Sequence, residues 1–191
     1  EKDANKNPTG RRVTTNDYGS ADYYYVNKSS LPKVYGGFNT SLSWKGFDLS
    51  AIFAYSIGGY IYNRDITMIL HNGSLEGRDW STEILKRWTP DNRNTDVPAL
   101  STTTNNWNSA STRFLQNNSY MRLKNLTLSY NLPKQWISKL SLSSVQVYVQ
   151  GDNLFTIHRN QGLDPEQGIT GITYYRYPAM RTISGGINVS F

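Results

Sequence analysis

Residues 34–63, "VYGGFNTSLSWKGFDLSAIFAYSIGGYIYN", alternate apolar and small polar residues on both sides of a two-residue break at positions 45–46. In the first arm Phe38 and Leu42 share one side, and small polar residues such as Ser41 occupy the other. A period of two predicts β-strands, and the short break between the two arms predicts a hairpin. The function of the chain then depends on what the apolar side of this hairpin faces.

The composition excludes several classes of protein. Of the 191 residues, 37% are hydrophobic and 13% are aromatic, so apolar side chains are scarce and aromatic-rich. No run of about 18 apolar residues is present, which excludes a transmembrane helix. The chain has no cysteine, which excludes disulfides and thiolate metal sites. The polar opening segment, "EKDANKNPTGRR", has none of the features of a signal peptide.

The positive charge does not predict binding to nucleic acid. The formal net charge is +6, but basic and acidic residues balance in the long polar segment 63–118. The basic excess in 120–150 is spread over strand ends and a turn, without a stripe of interleaved stacking aromatics. We therefore expect no nucleic-acid partner.

The connections between the predicted strands alternate between long and short. In an antiparallel meander this places every short link at one end and every long link at the other, as in an outer-membrane β-barrel with short periplasmic turns and long external loops. The predicted segments are an extracellular loop at 1–33, a transmembrane hairpin at 34–62, a long extracellular loop with a short helix at 63–118, a second transmembrane hairpin at 119–156, an extracellular loop at 157–180 and a last strand at 181–191.

The apolar side of the sheet is predicted to face lipid. The strands run for about 10–14 residues, which is enough to cross a bilayer at a tilt. Their polar sides carry Asn, Ser, Thr and Gln, which suits a water-filled lumen. Trp44, Phe47 and Tyr130 lie beside the short links, where an interfacial aromatic girdle is expected.

Two basic residues break this pattern. Arg122 and Lys124 share the phase of Leu126, which places them on the apolar side. Both lie at the loop end of their strand. We therefore expect their long side chains to reach lipid head groups.

A soluble antiparallel sandwich has the same period of two and is the alternative fold. A sandwich rarely places all of its long loops at one end, which favours the barrel. Five strands cannot close a barrel, and an open sheet in lipid would leave unpaired backbone groups at both edges. The sequence is therefore expected to be a fragment of a larger barrel, and the C-terminal piece because it ends on a strand.

Several blocks between about residue 31 and residue 191 carry a family resemblance. They resemble, in order, the C-terminal end of the SusC/RagA family of TonB-dependent outer-membrane transporters of Bacteroidetes. The blocks are "LPKVYGGFNTSLSWKGFDLSAIFAYSIGGYIYN", "RWTPDNRNTDVPAL", "RFLQNNSYMRLKNLTLSYNLPKQW", "VQVYVQGDNLFTI" and "YPAMRTISGGINVSF".

The resemblance implies that these are the last five or so strands of an all-β transmembrane barrel of about 22 strands. It implies a SusD-like surface lipoprotein as partner, an oligosaccharide or peptide as substrate, and coupling to TonB through a plug and TonB box that this sequence does not contain. The location implied is the bacterial outer membrane, with extracellular loops and a periplasmic C-terminus. Phe191 resembles the terminal aromatic signal read by barrel-assembly machinery.

Aromatic residues in the long loops are the candidate contacts for substrate or partner. Flat aromatic faces suit sugar binding and equally suit the docking of a lipoprotein, although such residues also bury loops against one another. The segment 81–88 is predicted to form a short helix that shapes the first of these loops. The candidates are Trp80, Trp88, Trp107, Tyr174 and Tyr175.

Catalytic and metal chemistry find little support. His71 and His158 lack the spacing of a zinc site. Residues 91–96, "DNRNTD", lack the glycine and distal glutamate of an EF-hand loop, so a solvated turn is expected, with a looser calcium site as the alternative. Asp164 and Glu166 lie two apart in a Pro/Gly-rich loop and are expected at the surface without partners. We therefore expect no cofactor, no metal and no enzyme activity.

Two competing functions have distinct requirements. A soluble β-rich binding or adhesion module, such as a carbohydrate-binding one, requires the chain to fold alone in water. A glycoside hydrolase requires a suitable carboxylate pair, and the predicted strands offer Asp48 and Asp152 alone.

Overall fold

The structure is a computed structural model that describes residues 9, 15, 17–71, 73, 75, 77–101, 103, 106–166 and 168–191. It divides into two units, one of Glu1–Asn27 with Asn63–Phe114 and one of Lys28–Tyr62 with Leu115–Phe191. In chain order the elements are β1 (Pro32–Trp44), β2 (Phe47–Gly58), β3 (Tyr60–Asn63), α1 (Arg64–Ile69), β4 (Leu115–Asn117), β5 (Tyr120–Asn131), α2 (Lys134–Ile137), β6 (Ser144–His158), β7 (Ile172–Thr173) and β8 (Thr182–Ser190).

The turn at positions 45–46 joins β1 to β2 in the tightest way a hairpin allows. Lys45 and Gly46 both have positive φ, at 47° and 88°, as a type I′ turn requires. The N–H of Asn131 donates to the Gly46 carbonyl at 2.8 Å, which ties β5 to the same turn. This turn sets the register of β1, β2 and β5.

The second unit contains a five-stranded antiparallel sheet in the order β1-β2-β5-β6-β8. Its register aligns apolar residues across all five strands, and the next row, one residue along each strand, is mostly polar or small. One row of the apolar face is Trp44, Phe47, Tyr130, Val147 and Ile187. The neighbouring row on the opposite face is Ser43, Asp48, Ser129, Tyr148 and Gly186.

The apolar face of this sheet is exposed to its surroundings. Leu42 is 66% exposed and Ile183 is 72% exposed, although both are large aliphatic residues on strands of the sheet. Phe38 stacks on Phe53 with ring centroids 4.7 Å apart, so the aromatic residues of this face contact one another across the surface. A sheet of this kind requires an apolar environment on one side.

A β-bulge in β5 interrupts the alternation at Lys124. Against β2, Asn125 pairs with Ile52 and Leu123 pairs with Phe53, so Lys124 is the extra residue. The register against β6 also shifts between Leu123 and Asn125. A one-residue insertion inverts the side on which the following residues lie.

The prediction that Arg122 and Lys124 lie on the apolar side and reach lipid head groups is wrong. The bulge returns Leu123 to the face of Leu126 and moves Arg122 to the opposite face, where it is 3% exposed. The Lys124 ammonium binds a loop carboxylate instead, that of Glu166, at 2.6 Å.

A small sheet in the order β4-β3-β7 extends the loop end of the second unit. Tyr60–Tyr62 pair with residues 115–117, and the Tyr62 N–H donates to the Gly171 carbonyl at 2.7 Å. Ser30 Oγ donates to the Ile169 carbonyl at 2.8 Å, on the loop that leads into β7. The segment between β6 and β8 is therefore hydrogen-bonded to the strands around it.

The other unit has a hydrophobic core of its own. Leu70, Ile84 and Val97 are buried together, with Ile66 and Trp107 packed against them. This core is small, and it folds the long segment after β3 into a defined shape.

The helices of this unit differ from the predicted one. The structure has a 3-10 turn at Thr82–Lys86, capped by Ser81, where the sequence suggested a helix at 81–88. It ends because Arg87 turns to an extended conformation, with ψ 155°. The helix α1, capped by the Asn63 side chain, was not predicted. In the described part of the chain, every helix is too short or too polar to cross a membrane.

Two adjacent glycines test the register of β1 and β2. A Cβ at Gly37 would lie 2.8 Å from the backbone oxygen of Phe53, whereas a Cβ at Gly36 would meet the mobile end of the Tyr55 side chain at 3.0 Å. We expect Gly37→Ala to lower the free energy of unfolding by about 1–3 kcal/mol, because a backbone oxygen cannot move aside. Gly36→Ala is the control and should change it little. Guanidinium unfolding of the intact protein measures both values, and equal values would contradict this register.

Candidate functional site

The polar face of the five-stranded sheet carries a hydrogen-bonded network of uncharged side chains around two aspartates. Asp48 accepts hydrogen bonds from Ser43 Oγ and from Asn131 Nδ2. Asp152 accepts one from Asn125 Nδ2 at 2.7 Å and others from Gln150 Nε2 at 3.2 and 3.3 Å. A surface of hydroxyls, amides and bound carboxylates is suited to contact with water and polar solutes.

The two strand aspartates have different hydrogen-bond partners and lie far apart on the sheet. Each carboxylate accepts hydrogen bonds from amide or hydroxyl groups, and the two carboxylates lie on rows of the sheet that are several residues apart. The arrangement therefore gives no support to a hydrolase built on Asp48 and Asp152.

At the loop end of this face, four charged residues form an ion cluster, which we call the ionic clasp: Arg122 and Lys124 of β5 with Asp164 and Glu166 of the loop that follows β6. Arg122 donates to Asp164 Oδ1 through Nη2, to Glu166 Oε2 through Nη1 at 2.9 Å, and to Thr156 Oγ1 through Nε at 2.9 Å. The side chains of Arg122 and Asp164 are only 4% and 8% exposed.

Asp164 is the central acceptor of the clasp. Besides Arg122, it accepts the backbone N–H of Glu166 at 2.9 Å and that of Ala179 at 2.7 Å. Burial on its own raises the pKa of Asp164, but the hydrogen bonds from Ala179, Arg122 and Glu166 and the arginine charge outweigh it, so the pKa lies below its ordinary value. Asp164 is therefore a carboxylate at neutral pH.

The expectation that Asp164 and Glu166 lack partners is wrong for both residues. The expected surface position is wrong for Asp164, whose side chain is buried, whereas Glu166 is exposed as expected. A signal for this contact is present in the sequence: Met121 and Leu123 are apolar at odd positions, whereas Leu126 and Leu128 are apolar at even positions. A strand that keeps all of these residues on one face needs a bulge between them, and the bulge turns Arg122 towards the polar side.

Trp107 packs in the core of the first unit. Its ring contacts the buried cluster around Leu70, and the Arg113 guanidinium lies over it at 4.1 Å from the ring centroid. Its indole N–H is buried. Trp107 is partly buried and therefore helps to shape the loop.

Trp80 and Trp88 are partly exposed in the same unit. Trp80 is 41% exposed and packs edge-on against the buried His71 ring at 5.1 Å, and Trp88 is 44% exposed. Burial lowers the pKa of His71, and the Arg78 charge lowers it further. The His71 ring is therefore neutral at neutral pH and supports Trp80 by packing.

The other two candidates lie together in the second unit. Tyr174 and Tyr175 pack with ring centroids 4.2 Å apart and are 47% and 67% exposed. Tyr175 has a positive φ of 49°. Phe191, at the end of the chain, is 92% exposed. Of the five loop aromatics, the structure brings Tyr174 and Tyr175 into mutual contact.

Residues 91–96 form a turn held by their own side chains. Asn92 Nδ2 and Thr95 Oγ1 both donate to the Lys86 carbonyl, at 2.9 and 2.7 Å. Within the residues that the structure describes, no three His, Asp or Glu side chains are grouped closely enough to bind a metal ion.

Curated proteins similar to this chain are TonB-dependent receptors. TonB-dependent receptor P3 of Formosa agariphila is 35% identical over 166 residues, which cover 81% of this chain and 16% of the relative. TonB-dependent receptor SusC of Bacteroides thetaiotaomicron is 27% identical over 168 residues, 87% of this chain and 16% of the relative. The chain thus spans about one sixth of the length of these relatives, and no family model matches it.

A solved structure matches the whole chain. The RagAB peptide importer in its closed-closed state superposes with a TM-score of 0.80 and 34% identity over 100% of this chain and 20% of the importer chain. The open-open state gives the same TM-score over 94% of the chain. The predicted barrel fold is confirmed, and these relatives are receptors and transporters rather than enzymes, as expected. The chain is a SusC/RagA-like portion of a TonB-dependent receptor and corresponds to the C-terminal part of its β-barrel.

Proposed function

We propose that the chain forms part of the wall and external rim of an outer-membrane transporter that imports a large nutrient, an oligosaccharide or a peptide. The observation that carries this proposal is the sheet with two unlike faces, one exposed and apolar and one lined by hydrogen-bonded polar side chains. Lipid outside and water inside are the two environments that such a sheet requires.

The outer face of this wall is suited to the bilayer. Its rows of Leu, Val, Ile and aromatic side chains carry no charge along the described strands. Antiparallel pairing satisfies the backbone groups between the strands, as a hydrocarbon environment demands. The pairs Trp44–Lys45 and Phe47–Tyr130 lie at the end with the short turn and would form part of an aromatic girdle.

We also propose an orientation for the chain. Short turns belong to the periplasmic end of such barrels and long loops to the external end. The first unit and the loop 159–181 would then be extracellular, and Phe191 would be periplasmic and available to the assembly machinery. Transport itself would be binding and gated passage, without covalent chemistry.

The partner proposed for this transporter is a SusD-like surface lipoprotein. The solved relative is named the RagAB peptide importer, and SusC is a second relative. The exposed loop aromatics Trp80, Trp88, Tyr174 and Tyr175 are the residues proposed to contact substrate or partner. Energy would come from TonB, through a plug and a TonB box in another part of the full-length receptor.

The soluble sandwich is the weaker interpretation. A sandwich would bury the apolar face of the sheet under a second sheet of similar size. The second sheet in the described structure consists of the short strands β3, β4 and β7, which pair with one another at the loop end of the unit. It is too small to cover the apolar face. The face that contains Leu42 and Ile183 remains exposed.

A test of the function uses the full-length receptor in its own outer membrane. Affinity purification in mild detergent, followed by mass spectrometry, should recover a surface lipoprotein in about equal amount. Cells should deplete oligosaccharides or peptides from a defined mixture, and a proton uncoupler should stop this depletion. Recovery of the receptor without a lipoprotein, or depletion that persists with the uncoupler, would contradict the proposal.

Neighbouring residues on β5 test which face contacts lipid. Leu126→Arg places a charge on the apolar face near the middle of the strand, and Thr127→Arg places the same charge on the polar face. We expect Leu126→Arg to lower the free energy of unfolding of the receptor in vesicles by about 2–4 kcal/mol, and Thr127→Arg to change it by less than about 1 kcal/mol. A larger loss for Thr127→Arg would reverse the assignment of the faces.

A further inference from the structure

The ionic clasp contains two cations and two anions in close contact. Arg122 binds Asp164 and Glu166, and Lys124 binds Glu166 at 2.6 Å. The charges balance within the group, as burial requires. A buried arginine without its carboxylate, or the reverse, would leave an unpaired charge, which is far more unfavourable than the loss of the pair as a whole.

The clasp holds both ends of one loop. Asp164 lies near the start of the loop that follows β6. Its Oδ2 accepts the N–H of Ala179, near the end of the same loop. The neighbouring positions are also fixed: Asn118 Nδ2 donates to the Pro165 carbonyl at 2.9 Å, and Asn153 Nδ2 donates to the Met180 carbonyl at 3.1 Å. The two ends of the stretch 164–179 are therefore joined to each other through Asp164 and are hydrogen-bonded to residues of the neighbouring chain segments.

The last part of this loop, from β7 to β8, is an exposed segment, residues 174–181, which we call the external ribbon. Every residue in it is exposed, including Tyr177 at 88% and Met180 at 69%. Arg176 and Arg181 are its charged residues, and it contains no acidic residue. Tyrosine, methionine and arginine are the residue types enriched in recognition surfaces.

We propose that Arg122 and Asp164 are positioning residues of the importer, which hold the external ribbon in one place before a substrate or partner binds. A surface fixed in advance loses less conformational entropy on binding. Arg122 supplies the anchor on the barrel wall, and Asp164 joins both ends of the loop to it. This inference rests on the proposed function for the role of the ribbon, whereas the following measurements need no import.

The test uses the full-length receptor in detergent, with trypsin cleavage after Arg176 as the measure of ribbon mobility. Arg122→Met leaves Asp164 buried without its cation, and we expect cleavage to become roughly tenfold faster or more, because local opening exposes the backbone. In the double variant with Asp164→Asn, the Lys124–Glu166 pair remains and no charge is left unpaired. The double variant should therefore be cleaved more slowly than Arg122→Met.

Two controls separate this effect from unfolding of the barrel. Heat-modifiable migration in SDS gels should be the same for all variants, because the sheet itself is unchanged. Lys86→Met removes an exposed ion pair with Glu83 in the other unit and should leave the cleavage rate after Arg176 unchanged. Equal cleavage rates in Arg122→Met and the native receptor, or a double variant cleaved faster than Arg122→Met, would overturn the inference.

A spectroscopic readout keeps the test decisive if Arg122→Met fails to fold. Spin labels at Tyr177→Cys in the ribbon and Ile187→Cys on β8 report the distance between ribbon and wall, in a background without other cysteines. We expect a narrow distance distribution with the native clasp and a broad one with Asp164→Asn. A role confined to barrel stability would leave the distribution narrow in both, and that result would reject a positioning role.

The clasp also has a defined pH dependence. The charged and titratable groups that interact with Asp164 include Arg122 and Tyr120, and Lys124 is paired with the neighbouring Glu166. Because the pKa of Asp164 is lowered from its ordinary value of 3.8, its contribution is complete above that pH and is lost as the pH falls through the lower folded-state pKa.

Hydrogen exchange of the Ala179 amide measures this contribution. After correction for the intrinsic exchange rate, protection should stay constant from pH 7 down to about pH 4 and decrease only below the ordinary aspartate value. In Asp164→Asn this step should be absent. A loss of protection that is complete at pH 5, or the same step in both proteins, would contradict the role assigned to Asp164.

Discussion

The alternation of side chains along a β-strand is the constraint on which the rest of this structure depends. With a period of two, a single extra residue exchanges the outer and inner faces of everything beyond it. In β5 the bulge at Lys124 does this once, between Leu123 and Leu126, and both leucines thereby stay on the apolar face. The same step turns Arg122 inward, away from a medium that would not solvate it. The one extra residue in β5 thus accounts both for the continuous apolar face of the sheet and for the contact between the sheet and the loop.

The long segments between strands are ordered by different means in the two units. In the first unit, Leu70, Ile84 and Val97 form a small apolar core, and Trp107 packs on it beneath Arg113. In the second unit, the loop after β6 is ordered by hydrogen bonds and ion pairs to the sheet. A partly buried charged cluster contributes less to stability than an apolar core of the same size, but it accepts few alternative partners. This difference suits a loop whose position matters more than its stability.

Much of the wall could be predicted from the sequence, because alternation is a local signal. The five main strands, the hairpin at Lys45-Gly46 and the unlike faces follow from the residues of each strand alone. The partners of Arg122 did not follow, since Asp164 lies 42 residues away and the contact depends on a bulge that shifts the phase by one residue. The packing of Trp107 depends on a core assembled from three separate places in the sequence, and periodicity carries no information about such contacts. The short helix α1 was missed because its six residues are too few to show a helical period.

The clasp at Asp164 has a consequence for how such a receptor can change over evolution. Asp164 joins the two ends of the loop, and the contacts of Glu166, Ile169 and Gly171 hold its first half. The exposed chain between residues 174 and 178 can therefore be lengthened, shortened or replaced without moving the points where the loop meets the barrel. New recognition sequences can therefore arise there while the strands and their register are preserved. For protein engineering, this interval is the natural place in the chain to graft a foreign peptide.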